Sequence, residues 1–130
     1  MNTTTTHDFG DGKGPTPAHQ HPNGGGWVAN TAFVDDTAYV GPDATVYDSA
    51  HVYDSAHVYG SASVYGSATV SCTAWVCGSA RVFGTALVCG SASVFDSARV
   101  YGEAWVFGKA RVFERAQVGG TARVYEGART

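Results

Sequence analysis

Two arginines spaced eighteen residues apart give the clearest indication of ligand chemistry in this chain. Arg81 and Arg99 are each followed two positions later by an aromatic residue, Phe83 and Tyr101, and Tyr65 keeps the same spacing one interval earlier. Guanidinium forks bind phosphates in a bidentate manner, and aromatic rings stack on bases. If the fold places these side chains on one surface, the strip could hold a nucleotide-like anion. The competing interpretation is a set of solvated arginines whose aliphatic stems cover the rings.

A second strip has the same chemistry. Arg111 and Arg129 are spaced like the first pair, and Phe95 and Phe113 accompany them. The same two interpretations apply, so the strip is a second candidate anion site. The sequence implies no cofactor for either strip.

Three histidines in the first part of the chain could ligate a metal. His19 and His21 form a His-x-His pair that an extended backbone would place on one side, and His7 could be a third ligand. Three imidazoles would suit zinc. Exposed histidines in a flexible arm are the alternative. His51 and His57 are six residues apart and could share an ion only across a subunit interface.

A strict period of six residues determines how these side chains must be positioned. Every sixth residue from Val28 to Val124 is valine, and every sixth residue from Ala32 to Ala128 is alanine. The hexad reads Val-[Tyr/Phe/Cys]-[Gly/Asp]-[Ser/Thr]-Ala-x. Such a short, regular period is typical of a solenoid.

Within each hexad the alternation of an extended strand predicts which residues point inward. In Ala56-His57-Val58-Tyr59 the alanine and valine share one face, and the variable residues share the other. Gly, Asp or Asn follows in most hexads, and these residues tolerate the left-handed backbone of a sharp corner. Three corners would close a triangle of eighteen residues, which predicts an all-β prism of five to six coils over residues 26–130.

The repeat resembles that of the hexapeptide-repeat, left-handed parallel β-helix family, in which a small residue follows an aliphatic one four places later. The resemblance covers Gly26 to Thr130 and implies a left-handed coil and frequent trimers. The frequent Tyr or Phe after the valine departs from the family, where that residue is usually small. The uniform hexads are also similar to those of some phage-encoded proteins.

Residues eighteen apart would form ladders on three outer faces. Face one carries Thr45, Ser63, Arg81, Arg99 and Gln117; face two carries His51, Thr69, Leu87, Trp105 and Arg123; face three carries His57, Trp75, Ser93, Arg111 and Arg129. Stacked rings stabilise such ladders, but large exposed apolar patches usually mark interfaces. A homotrimer is therefore expected, with these candidate interface residues: Tyr47, Tyr53, Tyr59, Trp75, Phe95, Trp105, Phe107 and Phe113.

The resemblance also includes acyltransferases and γ-class carbonic anhydrases, whose catalytic patterns do not carry over. The coils have no inserted loop after Gly26, and they contain only His51 and His57 as histidines. The residues eighteen positions from His51 are Phe33 and Thr69, so no histidine would stack on it. A fold alone does not confer an activity. We expect a protein that is not an enzyme.

Composition adds expectations about location and assembly. The net charge is −3, and no apolar stretch is long enough for a transmembrane helix. The first residues lack the features of a classical signal peptide, so a cytoplasmic location in a bacterial host, or one on a virion, is expected. Residues 1–65 carry about −6 and residues 66–130 about +3, which could drive head-to-tail association. The composition indicates no membrane partner and no duplex nucleic acid.

Residues 1–25 show no period and are rich in Gly, Pro and Thr, which is typical of an irregular arm or a cap. Phe9 or Trp27 could plug the first coil. The sequence therefore predicts a self-associating scaffold, as a trimer or by end-to-end assembly. The alternative is a phage-type sponge that binds a small anionic ligand between subunits, and acyl transfer is a weaker alternative.

Overall fold

A computed structural model describes residues 6–9 and 15–125, and all of its regular structure is β. Two strands precede the repeats, β1 (Thr6–Asp8) and β2 (Pro15–Gln20), and β3 (Trp27–Ala29) begins them. Each later strand is an outward residue followed by the repeat valine. These are β4 (Phe33–Val34), β5 (Tyr39–Val40), β6 (Thr45–Val46), β7 (His51–Val52), β8 (His57–Val58), β9 (Ser63–Val64), β10 (Thr69–Val70), β11 (Trp75–Val76), β12 (Arg81–Val82), β13 (Leu87–Val88), β14 (Ser93–Val94), β15 (Arg99–Val100), β16 (Trp105–Val106), β17 (Arg111–Val112), β18 (Gln117–Val118) and β19 (Arg123–Val124).

Strands that are eighteen residues apart pair in parallel and in register, as Arg81 does with Arg99. Face one is the sheet β3-β6-β9-β12-β15-β18, face two is β4-β7-β10-β13-β16-β19, and face three is β5-β8-β11-β14-β17. The prediction of a parallel β-solenoid with eighteen residues per coil is confirmed, with about five coils described. The left-handed coil that the hexapeptide resemblance implies stays a prediction. No helix among the described residues has the length and apolarity needed to cross a membrane.

The core consists of the repeat valines and alanines, as the alternation predicted. From Ala38 to Val112 each of these residues is at most 1% exposed. The terminal coils are less complete, because Ala32, Val34, Ala116 and Ala122 are only partly buried. A single coil cannot bury its inner face, so the stacking of coils provides the core.

The corners between faces adopt the left-handed backbone from Asp48 onward, with φ between 58° and 69°. Cys72 and Glu114 adopt it as well, although neither residue type favours it. The corner of Pro42 differs, because a proline ring fixes φ near −65°. Aspartate has a second use here: Asp96 Oδ2 accepts the Glu114 N–H of the next coil at 3.0 Å. That N–H would otherwise lack a partner in the ladder.

The arm is more regular than its composition predicted. β1 pairs antiparallel with β2, and β2 pairs antiparallel with β3, so that the hairpin extends face one. This pairing satisfies backbone groups that the edge of the first coil would otherwise leave open. Phe9 and Trp27 lie on the outer surface instead of plugging the end. The edge of β5 is instead covered by Asn23 and Gly26, which form backbone hydrogen bonds to Val40.

Candidate functional site

Face one carries an uninterrupted ladder of aromatic rings. Tyr47, Tyr65, Phe83 and Tyr101 stack with centroid separations of 4.9, 5.0 and 5.3 Å and interplanar angles of 11° or less. The arm adds Phe9, which stacks on Tyr47 at 4.8 Å and takes the level that the small side chain of Ala29 leaves open. Tyr47 is consequently only 8% exposed, so this candidate interface residue is covered within its own chain.

The ladder ends at Tyr101, which leans over Gly119. A Cβ at residue 119 would lie 2.4 Å from Tyr101 Cε2, so only glycine leaves room for the ring. Arg81 and Arg99 are exposed in neighbouring strands beside this ladder, as the sequence predicted. The rings from Tyr47 to Phe83 are covered on both sides, so a planar ligand finds no free ring face among them. An anion site at these arginines stays a prediction.

Face three has a gap in the ladder of residues that precede its valines. Its outward residues run from His57 to Trp75, then Ser93, then Arg111. Trp75 is 47% exposed, and the small Ser93 leaves a groove of about 420 Å³ beside it. An adjoining groove of about 320 Å³ is also lined by Trp75 and Ser93, together with Thr73 and Ser91. The two hollows make the level of Ser93 the open part of this face.

The larger groove combines a cation, an anion and aromatic surfaces. Arg111, Asp96, Tyr59, Phe95 and Cys77 line it together with Trp75, Gly78 and Ser93. Phe95 stacks on Phe113 at 5.4 Å, and Arg111 is exposed with no ion pair to another described residue. Burial raises the pKa of Tyr59 to about 12, and a hydrogen bond and charge interaction with Cys77 add to the shift. Arg129, the second cation of this predicted strip, lies outside the described residues.

Face two carries the most exposed rings. Phe33, Tyr53, Trp105 and Tyr125 are 36–53% exposed. Phe107 stacks on Tyr125 at 5.5 Å, and the Arg123 guanidinium lies 4.4 Å from the centre of the Trp105 ring. Trp105 and Arg123 are one coil apart, and their contact places a guanidinium over an indole ring.

The three histidines proposed as metal ligands have separate partners. His7 stacks on Trp27 at 4.7 Å, and His19 Nδ1 donates to Asn30 Oδ1 at 2.8 Å. His21 is 2% exposed, and its Nε2–H donates to the Ala38 carbonyl at 2.8 Å. Among the described residues no group of three His, Cys, Asp or Glu side chains could hold a metal ion. The structure therefore does not bring these histidines together.

The histidines of the coils pack among rings. His51 lies 6.3 Å from Phe33 and 5.5 Å from Tyr53, and His57 lies 5.8 Å from Trp75. His57 Nδ1 is buried without a hydrogen-bond partner among the described residues. These contacts give both histidines a structural place in the ladders.

The cysteines are free thiols. Burial raises the pKa of the Cys89 thiol, with a smaller contribution from Cys72. A raised pKa lowers the thiolate fraction of Cys89 and hence its reactivity.

Sequence reasoning placed the ladders correctly and missed two features of the site. It did not identify Phe9 as the first ring of face one, because the residues that join the arm to the repeats show no period. It also did not identify Ser93 as a gap, although the eighteen-residue register places a small residue between Trp75 and Arg111. No family model matches the chain, and neither the curated proteins nor the solved structures include a significant match.

Proposed function

We propose that this protein is a non-enzymatic scaffold that self-associates side by side through face two. The exposed rings of that face carry the proposal. Of the five large apolar side chains that are most exposed, four lie on face two and only Trp75 lies on face three. The four on face two form two groups, Phe33 with Tyr53 and Trp105 with Tyr125, and exposed apolar patches of this kind usually mark an interaction surface.

The charges on face two suit an interface. Each strand of face two has one outward side chain before its valine and one after it. Among these side chains only Asp35 and Arg123 are charged. Arg123 is held in place, because its guanidinium stacks on Trp105 and donates to the Thr121 carbonyl at 2.9 Å. Interface centres are depleted in Lys, Glu and Asp, and enriched in aromatic residues and arginine. A positioned arginine also loses less conformational entropy on binding.

The first coil favours lateral association over end-to-end stacking. β2 occupies the edge of β3, and the Gly26 N–H donates to the Val40 carbonyl at the edge of β5. A parallel coil from another copy could not pair with these edges while the arm is in place. The charge difference between the two halves of the chain remains available to orient neighbouring copies.

A trimer is the expected state, because the hexapeptide-repeat family that the sequence resembles commonly trimerises through such faces. Three copies with parallel axes would place face two of each subunit either at a common threefold axis or in one of three equivalent contacts between neighbouring subunits. Closed cyclic symmetry of this kind limits the assembly to a defined size. The proposal excludes catalysis, since the patterns of the related enzymes do not carry over to these coils.

Light scattering on a size-exclusion column tests the proposal. The wild-type chain should elute with three times the 13.5 kDa mass of one chain at micromolar concentration. Trp105→Glu places a carboxylate in the exposed aromatic group formed by Trp105 and Tyr125, and should give the monomer mass. Gln117→Glu is the matched control, because it introduces the same charge on face one and should leave the trimer intact. A monomeric wild-type chain at about 100 μM would contradict the proposal, as would equal dissociation of both variants.

A further inference from the structure

The interruption of face three has the dimensions of one flat ring. Trp75, Ser93 and Arg111 follow one another in the register of β11, β14 and β17. Neighbouring parallel strands are about 4.8 Å apart, so the indole and the guanidinium originate about 9.6 Å apart. The groove of about 420 Å³ lies between them at the level of Ser93.

Other ladders of the same chain show what fills such an interval. Rings that follow the valines stack on those one coil away at 4.9–5.5 Å. Rings that precede the valines, as Ser93 does, lie 5.7–6.3 Å from those one coil away and are tilted by 34–51°. Trp105 and Arg123 are also one coil apart, and their side chains touch at 4.4 Å. A planar ring at the level of Ser93 would therefore reach the indole on one side and the guanidinium on the other. Face three offers this space because serine is too small to occupy it.

We propose that this groove binds a nucleotide, with the base inserted at the level of Ser93 and the phosphate bound by Arg111. The proposal goes beyond self-association and does not depend on it, because the groove lies on face three. Base stacking on exposed tryptophan and charge-assisted bonds from arginine to phosphate are the two interactions that nucleotide sites use most.

The charged groups of the groove fit opposite ends of such a ligand. Arg111 is exposed and unpaired among the described residues, so its fork is available to an anion. Asp96 Oδ2 accepts the Glu114 N–H, which leaves the other carboxylate oxygen as an acceptor. A carboxylate accepts hydrogen bonds from the ring N–H and amino groups of a base, and guanine presents both on one edge. Guanosine monophosphate is therefore the probe of choice.

Another groove of the described structure lacks this chemistry. A groove of about 470 Å³ beside Phe9 and Tyr47 is lined by Asp48 and by hydroxyl-bearing residues. None of its described lining residues is a cation, so it does not suit a phosphate. Of these two grooves, the one on face three combines a cation with an exposed ring.

Filling the gap is the decisive experiment. Ser93→Trp would place an indole at the empty level, and this chain already accommodates tryptophan at outward positions 27, 75 and 105. Calorimetric titration with guanosine monophosphate should show binding to the wild-type chain and at least a tenfold loss of affinity in Ser93→Trp. Ser63→Trp makes the same change on face one and should bind like the wild type. Unchanged affinity in Ser93→Trp, or no binding to the wild type at millimolar ligand, would overturn the proposal.

A second variant distinguishes the contribution of the phosphate to binding from that of the base. Arg111→Gln keeps the fold of an exposed position and should weaken binding of guanosine monophosphate about tenfold or more. It should weaken the binding of guanosine less than that of guanosine monophosphate, because guanosine meets Arg111 only at the face of the base. Inorganic phosphate alone should bind the wild-type chain far more weakly than the nucleotide does. Phosphate that bound as tightly as the nucleotide would contradict the stacking of the base.

The self-association proposal can fail independently. Trp105→Glu should bind guanosine monophosphate with the affinity of the wild type whether or not it dissociates. A trimer without nucleotide binding would refute only the groove, and a monomer that binds the nucleotide would refute only the scaffold.

Discussion

Face one and face three share the same core but carry different side chains in their outer ladders. On face one, rings run without a gap from Phe9 to Tyr101, and each ring covers its neighbour. On face three, Ser93 leaves a groove between Trp75 and Arg111. Ser93 precedes its valine, whereas the stacked rings of face one follow theirs. Because the backbone repeat is the same, the difference between the faces comes from the side chains that the hexads carry in these two outer positions.

Aromatic residues therefore have different roles on the two faces. Each stacked pair is worth about 0.5–1.5 kcal/mol beyond the area that it buries, so the filled ladder of face one adds to the free energy of unfolding. On face three the corresponding ladder is interrupted at Cys77, and the small Ser93 leaves Trp75 47% exposed. Face three is therefore the less stabilised face and the one that can bind.

The largest effect should come from the core that both faces share. Val82→Asp on face one and Val76→Asp on face three each bury a carboxylate at a position that is 0% exposed. A buried unpaired charge is among the most destabilising changes, and each variant should lose about 4 kcal/mol or more. Urea unfolding followed by circular dichroism measures the loss. Tolerance of the substitution on only one face would show that the two faces do not share a continuous core.

Substitutions at the corners should have the next largest effect on stability. A matched pair of glycines distinguishes backbone strain from contact with the corner of the next coil. Gly84 and Gly120 have φ of +69° and +61°, so alanine at either position is strained by about 1–2 kcal/mol. A Cβ at residue 84 would also lie 2.8 Å from Gly102 N, whereas one at residue 120 meets nothing within 4 Å. Gly84→Ala should therefore be more destabilising than Gly120→Ala in the same urea unfolding assay. Equal losses would mean that the stacking of successive corners adds nothing.

Opening the ladder of face one is the third test, with a smaller effect. Phe83→Ser removes two stacked contacts, with Tyr65 and Tyr101, whereas Phe95→Ser on face three removes one, with Phe113. The expected losses are about 1–3 kcal/mol and about half of that. Thermal unfolding monitored by circular dichroism would compare the two. A Phe83→Ser loss no greater than that of Phe95→Ser would argue that the rings of face one do not support one another.

The same variant could convert face one into a second binding face. Phe83→Ser leaves a gap between two rings, next to Arg81 and Arg99, and so offers a ring face beside an arginine as face three does, although in the neighbouring ladder. It should bind guanosine monophosphate at this new level in a Ser93→Trp background, in which the original groove is filled. If this double variant fails to bind, the ring gap and the arginine are not sufficient, and Asp96 becomes the distinguishing residue.

The sequence was sufficient for most of the fold, because the period of six allows only one assignment of inside and outside. The pairing of Arg81 with Arg99, and of Trp75 with Ser93, follows from a spacing of eighteen residues alone. The hairpin of β1 and β2 could not be predicted in this way, since its strands carry no apolar period and form because the edge of β3 needs partners. The tilt of Trp75 also depends on neighbours that a repeat does not specify. The left-handed backbone of Cys72 and Glu114, by contrast, follows from their place at the corner position of the hexad.

The smallest predicted effect concerns the ionisation of Tyr59 at the groove of face three. Its pKa is raised from 10.0 to about 12, first by burial and then by Cys77, so the folded chain disfavours the phenolate more than the unfolded chain does. This contribution to stability is fully present below pH 10 and is lost as the pH rises from 10 toward 12. Tyr59→Phe has no ionisable group there, and its thermal midpoint should fall less steeply than that of the wild type over this window. Absorbance at 295 nm should lose its highest-pH component in Tyr59→Phe and keep it in the control Tyr53→Phe on face two. Persistence of that component in Tyr59→Phe would show that another group on the protein is responsible, and that face three does not shield its tyrosine.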